Sequence, residues 1–412
     1  MLKKVKFVGR EKKFFWVLIF FIYGIPNILA FLSSLFSSTI IVEDKEVLLT
    51  SSAFNLINCI ALIVVSLVFL AIYLSRLGNK FFRFKKEHKT VPEIVGVVVF
   101  FIQLLAALAL FNSDYGRIGG ASMSSSFVAV LVSYVNPGAI FLIYYGHVRE
   151  EKIPYANLLM YIVISLAMGW SGFWLILFFI EFYYLAKYMP LKKIILRTLV
   201  VVLIGLAAYP ATQAVRNKVR GTEVVTTNDF YSSMGTLLNR LQLYSNVVLL
   251  SQEASSIKSN IEENKILPFY ADNQIGEKII TLLGIVIKPP SLQKYITIRY
   301  LIDLKNIPTF AVAEDFSWYA HVGVIGWLFV LGWVDIFLYL IFVICILTIP
   351  YWIAGRFIGS MSIVPVIHVI SVVYLFHGWF SPQIGFIIAL CVYSVIFYIG
   401  RRSVSSKNNF LR

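Results

Sequence analysis

Residues 53–74 read AFNLINCIALIVVSLVFLAIYL, an uninterrupted apolar run without one charged side chain. A helix of that length spans a hydrocarbon layer of roughly 30 Å. The run is continuous, not alternating, so it predicts a helical span and not a strand of a barrel. Similar runs recur at about 14–36, 94–111, 127–145, 156–168, 173–185, 191–211, 322–347, 363–375 and 384–399. The chain of 412 residues is 59% hydrophobic and only 14% charged, against roughly a quarter charged in soluble domains. The sequence therefore predicts an all-α polytopic membrane protein of about ten transmembrane helices.

The fifth and sixth spans are short, and Gly169-Trp170-Ser171-Gly172 between them predicts a tight hairpin. The first span is too long for a cleavable signal, and no small-residue cleavage site follows it. Lys and Arg in short loops fix orientation. They crowd the N-terminal tail from Lys3 to Lys13, the loop from Arg76 to Lys89, the Lys187–Arg197 stretch and the C-terminal tail from Arg401. The opposite short loops hold Lys45 and Arg117 alone. Both termini are thus expected in the cytoplasm. The net charge of +15 reflects this bias and attraction to anionic lipid heads, not nucleic-acid binding.

One long polar stretch, 214–315, divides the chain into spans 1–213, an extracytoplasmic loop and spans 316–412. Cys59, Cys345 and Cys391 all fall inside spans, so no disulfide is expected. No zinc spacing, P-loop or Gly-rich dinucleotide turn occurs, so no cofactor or metal is expected.

The loop opens with Arg216, Lys218 and Arg220, a cluster suited either to phosphate oxygens or to anchoring among lipid heads. A helix is expected over 229–256, with Phe230, Met234, Leu237, Leu241, Tyr244 and Val248 on one stripe. Arg240 borders that stripe and needs an anionic partner. Glu253, Asp272 and Glu277 qualify, as does a bound phosphate. Arg117, in Asp114-Tyr-Gly-Arg117-Ile-Gly-Gly120, either pairs with Asp114 or faces the same anion. The run 279–287 is too short to span and is expected to dip into the surface. Glu181 and Asp335 fall within predicted spans, where carboxylates bond neighbouring helices or mark proton paths.

Three pieces together resemble the O-antigen polymerase family. They are the Gly169–Gly172 turn, Asn239-Arg240-Leu241-Gln-Leu-Tyr244, and the segment from Lys288-Pro289-Pro290 to Trp318-Tyr319-Ala-His321-Val-Gly323-Val-Ile-Gly326. The layout is similar along nearly the whole length. Ser317 stands where the family often has an acid two positions before its Tyr, with Glu314 and Asp315 just upstream. Related O-antigen ligases carry a His-Asn-like pair near the position of Val312, which disfavours that alternative.

The resemblance implies a GT-C-like glycosyltransferase of the bacterial inner membrane. Its substrate would be undecaprenyl-pyrophosphate-linked oligosaccharide, and its partners a flippase and a chain-length regulator. It implies pyrophosphate held by Arg216, Arg220, Arg240 and Arg117. The general base is sought among His321, Glu314 and Asp315, an imidazole titrating in the useful range, although a lone interfacial His also serves for packing. Tyr244, Trp318, Tyr319 and His377 are the candidate glycan contacts. The rival classes are an O-antigen ligase or other lipid-linked glycosyltransferase, and a polysaccharide flippase, which would show paired repeats with interrupted helices. No such repeat is legible.

Overall fold

The computed structural model describes residues 10–42, 45–82, 90–113, 135–170, 172–220, 230–263, 292–296, 300 and 322–410. It is a helical membrane protein. Six described helices are long and apolar enough to cross a bilayer, at Arg10–Phe36, Ala53–Phe82, Glu93–Leu110, Lys192–Thr212, Trp333–Ile358 and Phe380–Ser403. Two shorter apolar helices, Tyr155–Ala167 and Met361–Phe376, accompany them.

The first span is α1 (Arg10–Ile19), a π-turn over Phe20–Gly24, and α2 (Ile25–Phe36). Pro26 explains the irregularity: it lacks an N–H, and a wider turn accommodates the lost donor. A short antiparallel hairpin, β1 (Thr39–Val42) with β2 (Lys45–Leu48), leads to α3 (Ala53–Phe82) and α4 (Glu93–Ser113). Next come α5 (Pro137–Val148), α6 (Tyr155–Ala167), α7 (Phe173–Tyr188) and α8 (Leu191–Arg220).

The fourth expected span, 127–145, is not a single uninterrupted helix. Asn136 adopts a left-handed φ of 45° and caps the Ala139 N–H with its side chain, and Pro137 starts α5. Asn followed by Pro is a helix start that apolar periodicity alone hides. Gly169, at φ 69°, turns the chain between α6 and α7 as the Gly-Trp-Ser-Gly motif suggests.

α8 runs past its apolar part, which ends at Thr212, and continues as a helix into the polar stretch as far as Arg220. The stretch then forms α9 (Phe230–Leu241), α10 (Tyr244–Gln252) and α11 (Ala254–Glu263), with a single turn, α12 (Leu292–Ile296), farther on. The chain re-enters the membrane region at α13 (Gly323–Val330), then α14 (Trp333–Ile353) with a π-turn to Ile358. α15 (Val364–Phe376) and α16 (Phe380–Phe410) complete it. The expected eighth span is therefore broken at Leu331–Gly332 into a short buried helix and a long lipid-facing one. Asp335 accordingly sits in the first turn of α14, where an acid complements the positive helix end, and not midway along a span.

The core centres on α15, every residue of which is buried. A helix apolar all round belongs inside. It packs against α3, α5, α7, α13, α14 and α16. α10 is equally enclosed, buried from Tyr244 to Leu250, and packs against α2, α3 and α13. Gly326 permits this contact, since a Cβ there would lie 2.7 Å from Leu250. α8 is the opposite case, lying almost wholly exposed at the periphery beside α7 and α9.

The tightest approach joins two turns. Gly378 (φ 74°) follows α15 and Gly323 (φ 70°) starts α13, with the Gly323 N–H donating to the His377 carbonyl at 3.2 Å. A Cβ on Gly378 would stand 2.9–3.1 Å from the Gly323 backbone. Gly378→Ala should therefore cost at least about 1–3 kcal/mol from the left-handed backbone alone. Thermal unfolding in nanodiscs should show the drop, with Gly205→Ala, which meets nothing within 4 Å, unchanged or slightly stabilised.

Candidate functional site

Three helix boundaries converge on one point: the α9–α10 break, the start of α13 and the α15–α16 turn. Periodicity predicts one helix through 229–256, yet the chain breaks at Gln242–Leu243 without glycine or proline. The cause lies on another element. The first N–H groups of α10 have no intrahelical acceptors, and here they are buried. Asn27 Oδ1 accepts from both the Leu243 and Tyr244 N–H groups at 2.8 Å, while Asn27 Nδ2 donates to the Tyr23 carbonyl at 2.6 Å. Gln242 Oε1 accepts from the Ser245 N–H at 2.9 Å. An unmet buried donor would cost about 1–3 kcal/mol, so these bonds decide where the helix can begin.

Tyr244 is fully buried at this junction. Its hydroxyl lies 2.8 Å from Ser34 Oγ and its ring meets Phe31 edge-on. It serves as a strut between α10 and α2 and presents no face to a soluble glycan. Leu243 lies over Gly323, filling the space a side chain there would take. Beneath, His377 is buried, stacked on Trp379 at 5.0 Å and edge-on to Tyr23 and Phe376. It forms part of the floor of the junction, and its carbonyl holds Gly323.

Arg240 lies in the last turn of α9, three positions before Leu243. It is half-buried and has no ion pair or hydrogen bond with any described residue, Glu253 included. α9 packs against α2 and against α8, whose C-terminal turns carry Arg216, Lys218 and Arg220. The backbone thus brings two basic helix ends onto neighbouring elements. Arg117, Asp272, Glu277, Glu314, Asp315, Trp318, Tyr319 and His321 lie outside the described residues, and Val322, the first described residue after them, is buried at the junction.

The residue that the sequence reading missed is Asn27. Its signal was present: Asn27, Phe31 and Ser34 recur at i, i+4 and i+7 in an apolar span, one face carrying two polar groups. Buried polar residues in a span need partners, and these find theirs in the polar stretch.

At the far end of the bundle, Glu181 is engaged. Arg149 binds it through two hydrogen bonds of 2.6 Å, and the Tyr145 hydroxyl donates to the same carboxylate at 2.5 Å. The hydrogen bond to Glu181 raises the Arg149 pKa, fixing the cation. Lys187 pairs with Glu150 at 2.7 Å beside it. Such a bidentate pair ties α5 to α7.

Breaking one partner leaves the other poorly solvated, so Glu181→Gln should lower stability by about 1–3 kcal/mol. Replacing both Arg149 and Glu181 by Met should recover part of that loss in thermal unfolding. No family model, curated protein or solved structure matches this chain.

Proposed function

We propose that this chain is a glycosyltransferase that polymerises undecaprenyl-pyrophosphate-linked oligosaccharide repeats on the extracytoplasmic side of a bacterial inner membrane. In this reading a sugar hydroxyl of one lipid-linked repeat attacks the anomeric carbon of another. The bond from that carbon to the pyrophosphate oxygen breaks, and the hydroxyl proton leaves to a base. No metal is required if fixed cations stabilise the departing diphosphate.

One observation carries the proposal. Arg240 is held half-buried, close to an apolar bundle, without an acidic partner among the described residues. A guanidinium so placed is suited to a ligand anion, which it grips through two parallel N–H donors. Arg216 and Arg220, on the helix packed beside α9, are the supporting cations, and Arg117 is a further candidate. His321, Glu314 and Asp315 remain the candidate bases of this scheme, and Trp318 and Tyr319 its stacking surfaces. The scheme also places both termini in the cytoplasm and enlists a flippase and a chain-length regulator as partners. A proton-coupled exporter draws less support: Glu181, the leading intramembrane carboxylate, is committed to Arg149, and Asp335 sits at a helix start.

Arg240→Ala should leave protein abundance near normal and shift the product to single repeats, since removing one fixed donor costs roughly 10²–10³ in rate. Arg240→Lys should be impaired as well, because a point charge does not reproduce the fork. Glycan gels of a complemented deletion strain read both, and long chains persisting in the alanine variant would sink the phosphate role. Glu181→Gln should leave chain length near wild type; complete loss would favour proton coupling.

A further inference from the structure

Arg240 has no described partner to hold it, so something else must set its place. The chain fixes it from one side, through Leu241 and Gln242, which connect it to Leu243. There the backbone is tied by the bonds from Leu243 and Tyr244 to Asn27, whose own side chain is fully buried and fixed by Tyr23. Ser34 and Phe31, on the same face of α2, hold Tyr244 from the next two turns. On the opposite side Leu243 rests on Gly323. The α9–α10 turn is thereby clamped between the first span and the start of α13.

We propose that Asn27 is a positioning residue for the anion site, holding the α9–α10 turn so that Arg240 meets the diphosphate. This rests on the reading of Arg240 given above. Asn27 touches no substrate. It acts by satisfying two buried N–H groups that would otherwise draw the turn out toward water or lengthen α9 into α10. An aspartate would keep one accepting oxygen but set its other oxygen against the Tyr23 carbonyl, whereas a leucine of similar size would remove the acceptor altogether.

The test uses the full-length chain in nanodiscs, with Cys59, Cys345 and Cys391 replaced by alanine. Nitroxides are placed at Leu238→Cys and Phe54→Cys, both exposed positions. In Asn27→Leu the distance between the labels should shift or broaden by roughly 5 Å, about one helical turn. In cells the long-chain glycan fraction should fall roughly tenfold or more, the scale set by one or two lost buried hydrogen bonds. Ser34→Ala, which leaves both Asn27 bonds intact, should leave the label distance in place. Where the leucine variant is not recovered folded, Asn27→Ser, too short to reach both N–H groups, gives the same comparison. An unchanged label distance overturns the hold of Asn27 on the turn, whatever the glycan shows. A displaced label with normal chain length overturns the phosphate role of Arg240, and the positioning role falls with it.

Discussion

Two hydrogen bonds from the start of α10 to the Asn27 side chain are what allow a polar connection to be folded into an apolar bundle. A helix end is the most awkward part of a helix to bury, because its first N–H groups lack partners. Buried among apolar side chains, these groups have no water to supply them. Asn27 does, and Gln242 supplies a third acceptor. Once the end is satisfied, the remaining residues of α10 can be buried all round. They then fill the space between α2, α3 and α13 as a span would.

Much of the remaining architecture follows from that insertion. α13 lies flat on α10 because Gly326 has no side chain to hold them apart. It starts at Gly323, which needs both a positive φ and room for Leu243. The same glycine receives Gly378 from the α15–α16 turn, where a further methyl would meet backbone on its nearest side. These contacts couple the first span, the polar stretch and the last two helices through one small volume. Changes in any of them bear on where α9 ends, and therefore on Arg240.

The two ends of the bundle use charge differently. Around Glu181 opposite charges meet at hydrogen-bonding distance. Around Arg240 no described acid answers the cation, and α8 brings further cations onto the neighbouring element. Paired ions hold helices together.

The amino-acid order by itself determined the helical membrane class, since long uncharged runs admit few other structures. It also marked the short α6–α7 hairpin, where Gly169 supplies the φ that other residues avoid. It pointed to Arg240 as a cation beside an apolar stripe, and it held the readable but unread helix start at Asn136-Pro137. The break at Gln242–Leu243 was decided by tertiary structure alone. No helix breaker stands there, and the acceptor that ends one helix and starts the next lies more than two hundred residues earlier. The split of the eighth span, by contrast, falls at Leu331–Gly332, on a glycine, and it places Asp335 at a helix start. Local periodicity records which residues prefer an apolar neighbour, but not which helix will provide it.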